Sequence, residues 1–194
     1  TDTSAVVGGT DVVGALPAPT VRAGEVIAAP FVDREGGPRG FGRILKSGDI
    51  AGIGEASERF RFQAYDRIFI APPVGYVAAE GERYLAYRLG PVLEDLGQVV
   101  IPTGIIEITA AARSDIAATA KVVRSFHEVT AEDRLIPIDT AGIGTRQRPA
   151  RVEDGPSTTI EWIFGEPVLP NVQSYIVLGV SSRNGVRRGD EFLI

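Results

Sequence analysis

The sequence predicts an all-β protein, mostly antiparallel, built from small barrel or sandwich modules with little helix. Three observations carry this. From Val21 onward the apolar residues fall in short period-two runs favouring Val, Ile, Tyr and Phe, as strands buried on one face require. Gly and Pro, 23 and 13 among 194 residues, interrupt those runs every several positions and supply the turns between strands. No segment sustains an amphipathic helical stripe over about ten residues.

The elements follow in chain order. Residues 1–20, TDTSAVVGGTDVVGALPAPT, are small and lack any period, so this stretch is expected to be an extended arm held by a partner surface through Val6, Val7, Val12, Val13 and Leu16. Residues 21–64 form a strand-rich segment with strands at Glu25–Val32 and Gly42–Lys46 and a turn or two of helix at Ile53–Phe60. A barrel-like domain over 65–140 takes its strands from Asp66–Ala71, Arg83–Leu89, Gln98–Thr109, Thr119–Phe126 and Arg134–Ile138, with a short helical piece at Gly90–Leu96. Pro102 marks an edge or a bulge in its strand, because Pro has no N–H to give to a ladder. Residues 141–157, rich in Gly, Pro and charge, read as a linker or exposed loop. A partial second β module occupies 158–194, with strands at Thr158–Phe164, Ser174–Val180 and Asp190–Ile194. A chain opening Thr1-Asp2-Thr3 without Met reads as processed or a fragment, and one ending at Ile194 within a strand is expected to continue.

Composition narrows the chemistry. A net charge of −5 with no basic stripe gives nucleic acid and anionic headgroups no long-range attraction. With no Cys and one His, disulfides, thiolate zinc, iron–sulfur clusters and multi-histidine metal sites are excluded, and no metal or other cofactor is expected. No apolar run reaches the roughly 18 to 20 residues needed to span a bilayer as a helix. The cysteine-free composition leans toward the bacterial periplasm.

The candidate catalytic residues are few. His127 is the one base available near neutral pH, and a Ser–His–acid triad could draw on Ser181 or Ser182, but these lack a Gly-x-Ser-x-Gly elbow. Glu94/Asp95 and Glu132/Asp133 fall in turns, where solvated caps are the ordinary reading. The glycine-rich run Gly36-Gly37-Pro38-Arg39-Gly40-Phe41-Gly42 lacks the spacing of a phosphate loop and reads as a tight loop presenting Arg34 and Arg39 for contact. Arg146, Arg148 and Arg151 form a basic cluster, read either as a solvated loop or as a site for docking on an acidic partner face. Ile160, Trp162 and Phe164 alternate as core positions would.

One short signature recurs. Gly81-Glu82-Arg83-Tyr84-Leu85, Glu132-Asp133-Arg134-Leu135-Ile136 and Gly189-Asp190-Glu191-Phe192-Leu193 each place an acidic residue in a turn before an apolar strand. The last of these, with Ile176-Val177-Leu178-Gly179 and Asn184-Gly185-Val186-Arg187-Arg188 before it, resembles the small-barrel hairpins of bacterial envelope proteins such as flagellar assembly protein T and MreC. Phe31-Val32-Asp33-Arg34-Glu35-Gly36-Gly37-Pro38-Arg39-Gly40, with Gly97-Gln98-Val99-Val100-Ile101-Pro102-Thr103-Gly104, resembles the C-terminal β region of LysM-type cell-envelope proteins, although no LysM module is present. The resemblance implies a secreted, non-catalytic β module acting through its surfaces.

The expected function is a non-catalytic, membrane-extrinsic periplasmic structural subunit that docks on the protein subunits of a larger membrane complex. The specific assembly expected, with no residue motif to single it out, is a bacterial photosynthetic reaction-centre and antenna complex. Two rival classes are a free peptidoglycan-associated envelope module, binding glycan near Tyr76 or Tyr84, and a hydrolase using His127.

Overall fold

The computed structural model describes residues 23–45, 60–113, 117–138, 155–168, 174–187, 190 and 192. The arm residues Val6, Val7, Val12, Val13 and Leu16, the cluster Arg146, Arg148 and Arg151, and nearly all of Ile53–Phe60 lie outside them.

The architecture is antiparallel β with a closed barrel, as the alternation predicts. In order, the elements are helix α1 (Ala23–Ala28) and strands β1 (Phe31–Asp33), β2 (Gly42–Ile44), β3 (Arg61–Phe62), β4 (Arg67–Ala71), β5 (Arg83–Leu93), β6 (Gly97–Ala110), β7 (Ala118–Ser125), β8 (Val129–Thr130), β9 (Arg134–Pro137), β10 (Ile160–Ile163) and β11 (Ile176–Leu178), then a 3-10 turn at Ser182–Asn184. Six strands run β6-β5-β9-β2-β4-β7, and β7 pairs back onto β6 to close the cylinder. Closure satisfies every stave on both edges, which is how small β proteins avoid exposed ladders.

Alternation fills the interior. Ile44, Ile68, Ile70, Tyr84, Ala86, Ile106, Ile108, Ala120, Val122, Val129 and Leu135 form one cluster from all six staves and β8. Along β6, Ile106 and Ile108 point inward while Glu107 points out, where Arg83 and Lys121 flank its carboxylate at 2.8 and 2.9 Å. These cations hold the Glu107 carboxyl below its ordinary range. The barrel draws β2 from the segment before residue 65, locked between β4 and β9.

Pro102 lies at a bulge, one of the two positions expected of it. Ala86 faces Gly104 and Tyr87 faces Pro102, so Thr103 is the extra residue and no ladder bond is asked of the Pro nitrogen.

The elements expected at Glu25–Val32 and Gly90–Leu96 are corrected. Ala23–Ala28 is helical where a strand was predicted from Glu25: the adjacent β-branched pair Val26-Ile27 imitates a strand, but Glu25 sits favourably in the first helical turn and Pro30 follows the end. Gly90–Leu96 is not helical. β5 runs through Gly90-Pro91 to Leu93 by a second irregularity between Leu89 and Val92, and only Glu94–Leu96 forms the turn into β6.

The hairpin β10–β11 forms its own two-stranded sheet. Its residues were expected to be core, yet Ile160 is 41% exposed and Trp162 and Phe164 are half-buried, because a bulge between Ile160 and Trp162 breaks the alternation. Of the strand expected over Asp190–Ile194, Asp190 and Phe192 are described and neither is in a strand.

Candidate functional site

Two places collect side chains that an ordinary barrel would not need there. The first is a loop face. Gly36, Gly37 and Gly40 adopt positive φ, so the glycine-rich run is the tight loop the sequence predicts. It meets the loop after β4 through a bond from Val74 N–H to Gly40 C=O, 2.8 Å. Gly42 fixes this junction, since a Cβ there would lie 2.5 Å from the Ala71 carbonyl oxygen.

Apolar side chains crown the junction. Phe41 is 40% exposed, Val74 and Val77 79% and Tyr76 48%, on loops whose backbones are hydrogen-bonded together. Arg134 lies over the Phe41 ring at 4.2 Å, a cation–π contact that keeps a positive charge beside the patch. Tyr76 packs edge-on against Tyr84, centroids 6.3 Å apart. Tyr84 itself is buried in the barrel, which corrects its expected place among the exposed aromatics.

Arg34 and Arg39 are both exposed on the first of these loops. Arg39 pairs with Glu35 at 3.3 Å, an exchangeable surface contact, so its charge is shared rather than buried. Tyr76 was expected only as a glycan contact, and Phe41, Val74 and Val77 were not among the expected contact residues. The available signal was Pro72-Pro73-Val74-Gly75-Tyr76-Val77, a turn sequence carrying large apolar residues that a solvated turn does not require.

The second place is an aromatic seam. His127 lies between β7 and β8, its ring stacked on Phe164 with centroids 4.6 Å apart and planes at 27°. Trp162 meets Phe164 edge-on at 5.9 Å. His127 Nε2 and Trp162 Nε1 are buried, and neither has a hydrogen-bond partner among the described residues. The triad expectation required a serine or carboxylate bonded to this imidazole, and none is bonded to Nε2. Burial, with the Arg88 charge second, lowers the affinity of His127 for a proton.

Beneath the seam lies a buried polar knot. Asp133, expected as a solvated turn cap, is 2% exposed. Its carboxylate accepts from Thr103 Oγ1 at 2.8 Å, Thr130 N–H at 3.0 Å and Thr130 Oγ1 at 3.2 Å, with Arg88 Nε at 3.5 Å. The Arg88 pairing is ionic, since its buried Nε makes no hydrogen bond, while Arg88 Nη2 donates to the Glu128 carbonyl. Burial of this carboxylate is tolerable because every contact it makes is a donor or a cation.

Among the described residues no group of His, Asp and Glu could hold a metal ion, and no helix is long and apolar enough to cross a membrane. Comparison with models of known families, with curated proteins and with solved structures yields no match.

Proposed function

We propose that this chain is a non-catalytic docking module: a membrane-extrinsic periplasmic subunit that stabilises a larger membrane complex through protein contacts. The loop face carries the reading. Four large apolar side chains stand exposed on two loops joined by glycine geometry and a backbone bond, with Arg134 over the Phe41 ring and Arg39 two residues before it. An apolar centre with a cationic rim fits a protein surface of apolar and acidic residues.

The assembly to be tested first is a bacterial photosynthetic reaction-centre and antenna complex. Native sizing of mildly solubilised membranes, with mass spectrometry of the co-migrating species, makes the test. Co-migration with stoichiometric membrane subunits is expected, and a Val74→Asp/Tyr76→Asp double variant, altered only at exposed positions, should lose it while keeping its far-UV spectrum. A free species near 20.6 kDa would remove the reading. Sedimentation of that species with purified cell wall would then assign the peptidoglycan class instead.

A further inference from the structure

We infer that the β10–β11 hairpin is a proton-released clasp: it rests on the barrel while His127 is neutral and lifts away when His127 takes up a proton. This goes beyond the docking reading and does not depend on it.

The connectivity makes such motion cheap for the rest of the fold. Among the described residues the hairpin shares no ladder with the barrel, so it can leave without breaking a stave. Among the described residues the ring stack of Phe164 on His127 joins it to the barrel, with Trp162 edge-on behind. Both ring nitrogens at the seam, His127 Nε2 and Trp162 Nε1, are buried with no partner, and each recovers a hydrogen bond to water on release. The docked state is therefore held by apolar contact against a polar deficit.

Protonation tips that balance. A proton on Nε2 would create a buried N–H donor with no acceptor, in a ring already carrying the field of Arg88 from β5. The neighbouring carboxylates are committed elsewhere. Asp133 holds Thr103, Thr130 and Arg88, the Glu128 carboxylate lies 3.2 Å from Arg61, and on the hairpin Glu161 accepts from Thr159. The hairpin side presents the uncharged Phe164 ring to the imidazole. Because burial and Arg88 hold His127 below its ordinary 6.5, docking is fully favoured above that value and weakens as the pH falls below it.

The chain has one His and one Trp, so both ends of the device can be read without labels. Between about pH 7.5 and about pH 5, Trp162 emission of the full chain should shift to the red, tracking the single imidazole proton signal, with far-UV dichroism constant. His127→Phe keeps the stack and should hold the blue emission throughout. Phe164→Ala should be red-shifted at neutral pH, with His127 titrating higher than in the parent chain because its burial is relieved while Arg88 remains. An equal pH response in His127→Phe, or imidazole titration in the intact protein with no change in emission, would overturn the inference.

Discussion

Asp66 and Asp133 occupy the same turn in two different surroundings. In each, the aspartate N–H bonds the carbonyl three residues back, Gln63 at 3.1 Å and Thr130 at 3.2 Å, and Oδ2 accepts from that residue's N–H at 2.9 and 3.0 Å. The strands before the turns, β3 and β8, pair with each other, and the strands after them, β4 and β9, flank β2. Asp190 repeats the geometry on Arg187, at 3.1 and 2.7 Å. What differs is depth. Asp133 is closed over and has recruited Thr103 and Arg88, Asp66 is half-buried, and Asp190 is exposed. One local device thus serves as a turn lock at the surface and as the centre of a polar knot inside.

The comparison is tested by removing each carboxylate in turn. Asp133→Ala should cost the most, about 3 kcal/mol, because it strands the Thr103 hydroxyl and leaves Arg88 without its counter-charge. A urea midpoint reads it. Asp66→Ala removes the same turn bond from a half-buried site and should cost less, about 1 kcal/mol by the same titration. If the two prove equal, depth has no energetic meaning here. Asp190→Ala should fall within about 0.5 kcal/mol of the parent chain, as exposed substitutions do. The smallest effect concerns Glu107. Its carboxyl is held low by Lys121 and Arg83, so its contribution is complete above the ordinary carboxylate range and is lost as the pH falls below that range through the lowered folded value. Thermal midpoints measured from neutral to acid pH should therefore decline less steeply in Glu107→Gln.

The copy missing from the sequence reading explains what was legible. Gly81, Asp133 and Asp190 drew attention by composition, but Tyr65-Asp66-Arg67-Ile68-Phe69, where a tyrosine takes a positive φ of 73° before the aspartate, escaped. The Glu82 copy keeps the backbone bond to Ala79 at 3.0 Å, yet its longer side chain goes forward to accept from the Tyr84 hydroxyl at 2.6 Å. Barrel strands were readable because alternation is a local property. The strand order was not, since it joins β2 to β9 across most of the barrel sequence. Of the candidate interface, Arg34 and Arg39 lie on the loop face, but its apolar centre was masked by its own turn residues. The burial of Asp133 was invisible because it depends on Thr103, a bulge residue in a distant strand.

β2 is three residues long and stands between two strands that lie far from each other in the chain. Until it arrives, β4 and β9 each present an open edge, and any extended segment of this or another molecule can occupy the gap. Non-local pairing of this kind is slow to form. The slot between β4 and β9 is thus the place where a short peptide with the sequence of β2 should compete during refolding.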